Sequence, residues 1–101
     1  MSWQPAVDIY KTSSGWLLKV ELAGVMPEDV SVGVEGSCIT IGGVRRDWMV
    51  EESCTHYSME IAYNRFARMI ELPCSLEHAR FNLEFRNGIL LVRVTTEGRP
   101  A

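Results

Sequence analysis

Apolar and polar residues alternate with period 2 through most of this chain. The clearest instance is Phe81-Asn-Leu-Glu-Phe-Arg, then Asn87-Gly88, then Ile-Leu-Leu-Val-Arg-Val94. Asn-Gly between two alternating runs predicts a two-residue hairpin turn, because both residues tolerate positive φ. That turn sets Phe85 opposite Leu90, Leu83 opposite Val92 and Phe81 opposite Val94, with all six apolar side chains on one face. A slip of one residue would send one strand's apolar set into water, so the register is specified.

Other runs read the same way. Val7 and Ile9 follow Pro5, which suits a strand start or a sheet edge. Thr12–Gly15 is a turn, and Trp16, Leu18, Val20 and Leu22 alternate after it. Gly24–Asp29 breaks the pattern, and Pro27-Glu-Asp opens a short helical turn with acids at its N-terminal end. Val30, Val32 and Val34 form a strand, Glu35–Ser37 a turn. Ile39 and Ile41 form another strand, expected to end at Gly42-Gly43. Residues 44–56 lose the period. Tyr57, Met59, Ile61 and Tyr63 resume it as a further expected strand. The phase shifts at Asn64-Arg65, as at a bulge. Phe66, Arg68, Ile70 and Leu72 then share a face up to Pro73. Ser75 caps an expected helical turn over 75–79, and 95–101 is a polar tail. Seven or eight short strands with turns every 8–12 residues predict an all-β, antiparallel sandwich. Its expected core is Trp16, Leu18, Val20, Leu22, Val32, Ile39, Ile41, Phe66, Ile70, Leu83, Phe85, Leu90 and Val92.

The chain has 101 residues, enough for one domain, and 47% of them are hydrophobic. The net charge of −3 and the lack of a basic run argue against nucleic acid or an anionic membrane as partner. The longest basic cluster, Arg45-Arg46, reads as a solvated strand end. No apolar run reaches membrane-spanning length, and no secretory leader is visible. Three cysteines without a close pair point to a reducing cytoplasm.

Candidate chemistry is sparse. Cys54-Thr-His56 and Cys74-Ser-Leu-Glu-His78 hold four zinc-type ligands at spacings foreign to fingers or ribbons, so no metal is expected. A Cys54–His56 nucleophile lacks an orienting group, and catalysis is not expected. Glu51 and Glu52 would point to opposite faces of a strand, and Gly42-Gly43 lacks phosphate-loop spacing, so no cofactor is expected. Arg68 stands on the apolar parity of its strand. It either pairs with an acid at a sandwich end or dimer seam, or snorkels at a strand end. Trp48, Met49 and Val50 stand together in polar surroundings. They are either interface anchors or a loop folded onto its own sandwich.

The order of Pro5-Ala-Val-Asp-Ile-Tyr, Leu22-Ala-Gly-Val-Met-Pro-Glu-Asp-Val30, Ile39-Thr-Ile-Gly-Gly43, Phe66-Ala-Arg-Met-Ile-Glu-Leu-Pro73 and Asn87-Gly-Ile-Leu90 resembles the α-crystallin domain of small heat-shock proteins, of the bacterial and plant type. The resemblance runs from about Trp3 to Val94, one domain within residues 1–101. It implies an immunoglobulin-like sandwich and an ATP-independent cytoplasmic holdase that captures unfolding client proteins. It also implies a homodimer in which residues 46–56 pair with the partner's first strand. The implied dimer contacts are Pro5, Val7, Ile9, Arg46, Trp48, Met49, Val50 and Arg68. The resemblance further implies a groove for clients and for Ile-x-Ile tails of other subunits, with Val30, Val32 and Val34 on one side and Phe81, Leu83 and Phe85 on the other. The sequence departs from the family pattern in places. Leu83 replaces an alanine, Asn64 a glycine in a bend, and Ser58 an arginine. Neither a long arm before Trp3 nor an Ile-x-Ile tail lies within the 101 residues. The alternative reading is a co-chaperone-like interaction module of the same sandwich type, which would lack the exchanged strand.

Overall fold

A computed structural model describes residues 2–48 and 51–96 of the chain. Seven strands are present among them: β1 Val7–Lys11, β2 Gly15–Glu21, β3 Val30–Glu35, β4 Cys38–Arg45, β5 Asn64–Glu71, β6 Arg80–Arg86 and β7 Ile89–Thr95. They form two antiparallel sheets, ordered β1-β2-β7-β6 and β3-β4-β5. The sheets face each other across the apolar positions of their strands, the sandwich expected from the alternation.

The hairpin has the register that its Asn-Gly turn demands. Phe85 pairs with Leu90, Leu83 with Val92 and Phe81 with Val94. Asn87 and Gly88 both have positive φ, 53° and 77°, as a type I′ turn requires. Asn64 is also left-handed, at φ 72°, so the phase shift before Phe66 is a backbone bend that asparagine accommodates. Pro27–Asp29 forms the short helical turn, of 3-10 type.

The core holds Leu18, Val20, Leu22, Ile39, Ile41, Phe66, Ile70, Leu90 and Val92, with Trp16, Val32 and Phe85 half-buried against it. Val25, Leu72, Leu76 and Val94 join it from turns and strand ends. Leu83 does not: it is 50% exposed. It lies on the inward parity of β6, but β6 is the edge of its sheet, and an edge position has less of the opposite sheet above it.

Four local expectations are corrected. First, β4 runs through Gly42-Gly43 to Arg45. Glycine is needed at 43 for a close approach, since a Cβ there would lie 2.1 Å from the Asp29 carbonyl oxygen. Second, Tyr57–Tyr63 is not a strand; its alternating residues find no neighbouring strand among the described residues. Third, residues 75–79 make a turn rather than a helix, although Ser75 Oγ still accepts from the Glu77 N–H at 3.2 Å. Fourth, Arg45 is buried rather than solvated. At the polar tail, Thr95 ends β7 and the Thr96 N–H donates to Ser14 O at 2.9 Å. Residues 97–101 lie outside the described residues.

Candidate protein-interaction site

Three surfaces carry what the core does not use: an arm between β4 and β5, the free edge of β1, and a groove between β3 and β6.

The arm spans residues 46–62. Its described residues, 46–48 and 51–62, are all exposed. Trp48 is 69% exposed, Ile61 62%, and Tyr57 fully. Met49 and Val50, expected beside Trp48, lie outside the described residues. The two limbs enclose a concave space of about 600 Å³, lined in part by Trp48, Tyr57, Met59 and Tyr63. Inside the arm His56 Nε2 lies 3.5 Å from Asp47 Oδ2, and Cys54 Sγ donates to Glu51 O at 3.2 Å. Trp48 is thus not folded back onto its own sandwich.

At the arm's outgoing root the Arg46 guanidinium makes a two-pronged pair with Asp29, Nε to Oδ2 at 2.8 Å and Nη2 to Oδ1 at 3.0 Å. That hydrogen-bonded pairing holds the Asp29 carboxyl below its ordinary range and raises Arg46 in turn. Beside it Arg45 is 8% exposed, and Arg45 Nε and Nη1 donate to Ala23 O and Ala62 O, both at 2.9 Å. Its guanidinium carbon lies 4.3 Å from the centre of the Trp3 ring. Arg45 reads from the sequence as a solvated strand end, and Trp3 carries no role there. The missed signal was parity, because Ile39, Ile41, Gly43 and Arg45 alternate along one face of β4.

Among the described residues β1 pairs only with β2, so its other side is a free sheet edge there. Val7 is half-buried and Ile9 46% exposed. Pro5, just before it, is buried, and its carbonyl accepts a 2.8 Å bond from Arg68 Nη1. Arg68 therefore satisfies a backbone acceptor where the sequence suggested an acid partner or a solvated head. That bond ties the start of one sheet to the other.

The groove, of about 340 Å³, is lined by Pro27, Val30, Val32, Leu83, Glu84, Phe85 and Leu90. Four of the six expected residues thus come together. Val34 is exposed farther along β3, and Phe81 packs against the core. Glu84 on the rim accepts from Arg93 Nη1 at 2.8 Å and Arg86 Nη2 at 2.7 Å. Those bonds, Arg93's first, lower its pKa.

The zinc-type residues do not converge. Cys54 and His56 sit in the arm, Cys74 and His78 along the β5–β6 connection. Among the described residues no group of three or more His, Cys, Asp or Glu is placed to hold a metal. Glu51 and Glu52 are both exposed. Among the described residues no helix is long and apolar enough to cross a membrane.

The chain is similar to small heat shock protein C2 of Rickettsia felis, with 32% identity over 90 residues, 89% of this chain and 58% of that protein. It is similar to small heat shock protein C4 of the same organism, with 27% identity over 89% of this chain and 55% of that protein. The chain therefore spans a little over half the length of these relatives. Among solved structures, heat shock protein 16.0 of Schizosaccharomyces pombe superposes with a TM-score of 0.82 at 27% identity, covering 99% of this chain and 94% of that one. The hspA protein of Xanthomonas axonopodis superposes with a TM-score of 0.77 at 26% identity, covering 94% and 95%. The family model described as Hsp20/alpha crystallin matches residues 8–101, and the chain belongs to that family.

Proposed function

We propose that this chain is the dimerising core of an ATP-independent holdase, in which the arm of one copy lies along the β1 edge of another. The observation that carries the reading is the arm itself, whose Trp48, Tyr57, Met59 and Ile61 are exposed on a segment whose described residues have no sheet partner. A soluble chain gains from covering such a surface, and an unpaired β1 edge is the complementary liability. Adding residues 46–56 to the partner's Pro5–Ile9 segment covers Trp48 and that edge together, with Trp48 as the anchor and Arg46, Met49, Val50 and Arg68 around it.

The groove supplies the second surface. An extended Ile-x-Ile segment, from another subunit or from an unfolding client, adds there as a strand. Its two side chains sit among Val30, Val32, Leu83 and Phe85, with Val34 and Phe81 at the outer limits. Holding an unfolding protein by apolar contact requires no nucleotide, and the work is that of the cytoplasm.

The test is light scattering of dithiothreitol-reduced insulin with increasing amounts of this protein. Suppression that is the same with and without ATP supports the holdase. No suppression at large molar excess, or suppression only with ATP, favours the co-chaperone-like interaction module.

A further inference from the structure

Arg45 is a buried cation whose described partners include no carboxylate. It takes the fourth inward position of β4, after Ile39, Ile41 and Gly43, where an apolar residue would complete the pattern. Burying a guanidinium costs free energy unless its donors are satisfied. Here Nε binds Ala23 O and Nη1 binds Ala62 O, while the flat face lies on the Trp3 ring. A methionine would fill similar space without desolvating a charge. It could not grip two carbonyls from separate segments.

Those carbonyls belong to the turn after β2 and to the end of the arm. Ala62 is the last exposed arm residue before Tyr63 and β5. Two residues on, left-handed Asn64 offers its carbonyl to Trp3 Nε1 at 3.2 Å. Trp3 is itself fixed to the edge of β5. Its N–H donates to Arg65 O at 3.0 Å, its carbonyl accepts from the Ala67 N–H at 3.2 Å, and its ring lies 5.2 Å from that of Phe66. The returning limb is therefore gripped at Ala62 by the buried Arg45, and the start of β5 that follows it is held at Asn64 by Trp3. The outgoing limb is held by the Arg46–Asp29 pair, in which Arg46 is largely exposed and the interaction correspondingly weaker.

We propose that Arg45, clamped under Trp3, is the positioning residue of the arm: it fixes the direction in which the returning limb leaves the sandwich and so presents the arm ready to bind. The proposal rests on the reading of the arm as the dimer-forming element. A pre-set arm loses less conformational freedom on association, which favours the dimer without any contact between Arg45 and the partner. The rigid fork is essential to this role, because lysine offers a single point charge that cannot hold two carbonyls at fixed angles.

The test compares the wild type with Arg45→Lys and Trp3→Phe, the latter keeping an aromatic ring, though a smaller one, and losing the donor to Asn64. Three quantities are read: the amide shifts of the 81–94 hairpin, the dimer dissociation constant by sedimentation, and the fast-timescale order parameters of residues 57–62. The expected result for Arg45→Lys is an unchanged hairpin, lower order over 57–62, and a dissociation constant raised by about tenfold or more. Trp3→Phe should move both in the same direction by less, and it carries the test should the lysine variant not fold. A lower urea midpoint with unchanged order and unchanged dissociation constant would mean that Arg45 only stabilises the sandwich, and would overturn the proposal. A wild type that stays monomeric at every concentration would sink the dimer reading. The order parameters would still decide the clamp: unchanged order in Arg45→Lys would overturn it in the monomer too.

Discussion

The sandwich and the arm contain the same kinds of residue in opposite surroundings. Leu18, Ile41 and Val92 are fully buried, each covered by the facing sheet of the same chain. Trp48, Tyr57 and Ile61 are comparable in apolar area and lie in solvent. Tyr57–Tyr63 alternates as regularly as Trp16–Leu22, yet only the latter lies in a strand, β2, up to Glu21. Alternation prepares a segment to pair and bury one face, but a strand forms only where a neighbouring strand exists. For Trp16–Leu22 the neighbours β1 and β7 are in the chain. For Tyr57–Tyr63 no such neighbour stands among the described residues, and for the adjoining residues 46–56 of the arm, we propose, the neighbour is in another copy.

The sharpest way to break this comparison is to cut the core. Leu18→Ala or Ile41→Ala should cost about 2–5 kcal/mol of unfolding free energy, because a fully buried side chain leaves a cavity. Tyr57→Ala or Ile61→Ala should change monomer stability by less than about 0.5 kcal/mol. Urea melts at low protein concentration check both, and equal losses at the two kinds of site would erase the distinction.

Truncating the arm's anchor comes next. Trp48→Ala should weaken dimerisation by about 2 kcal/mol, near the threshold for an interface hot spot, and leave the monomer's urea midpoint where it was. Sedimentation over a concentration series checks the first, and an undisturbed dimer at micromolar concentration would count against the arm.

A smaller effect is expected in the groove. Leu83 is half-exposed there, so Leu83→Ala should cost the fold under about 1.5 kcal/mol while opening room for a bound side chain. Titration with a labelled Ile-x-Ile peptide should then show tighter binding by a few-fold, with amide shifts near Val30, Val32 and Phe85. Shifts confined elsewhere would remove the groove from the account.

The smallest effect is acidic. Asp29 and Glu84 both titrate below their ordinary values of 3.8 and 4.5 because arginines hold their charged forms. The unfolded chain therefore takes up these protons first as pH falls. Their stabilisation is complete above the ordinary values and fades as pH falls through the lowered folded ones. Asp29→Asn should flatten the part of that slope due to Asp29, seen as a smaller loss of urea midpoint between neutral and acidic pH. An unchanged slope would mean that the Arg46–Asp29 pair does not persist in solution.

Much of the fold was legible because local chemistry fixed it. Asn87-Gly88 forces its turn and hence the register of β6 and β7, and inward parity named most of the core. Leu83 was misread because parity says which face a residue takes, not whether the other sheet reaches that far. Arg45 was overlooked because a charged residue at a strand end reads as solvated until the carbonyls of Ala23 and Ala62, remote in sequence, are brought to it. β4 outran its expected end because Gly43 answers a close approach by Asp29 O, which sequence separation hides. Of the groove, Val30, Val32, Leu83 and Phe85 were placed together by the family resemblance rather than by periodicity. The bond from Arg68 to Pro5 O likewise depends on tertiary placement.

The most direct test of the exchanged arm is an isotope-filtered NOE experiment on a mixture of labelled and unlabelled copies of the chain. The account predicts intermolecular contacts from the Trp48 indole of one copy to Val7 and Ile9 of the other. A dimer whose intermolecular contacts join other surfaces, with the Trp48 indole still in water, would contradict it.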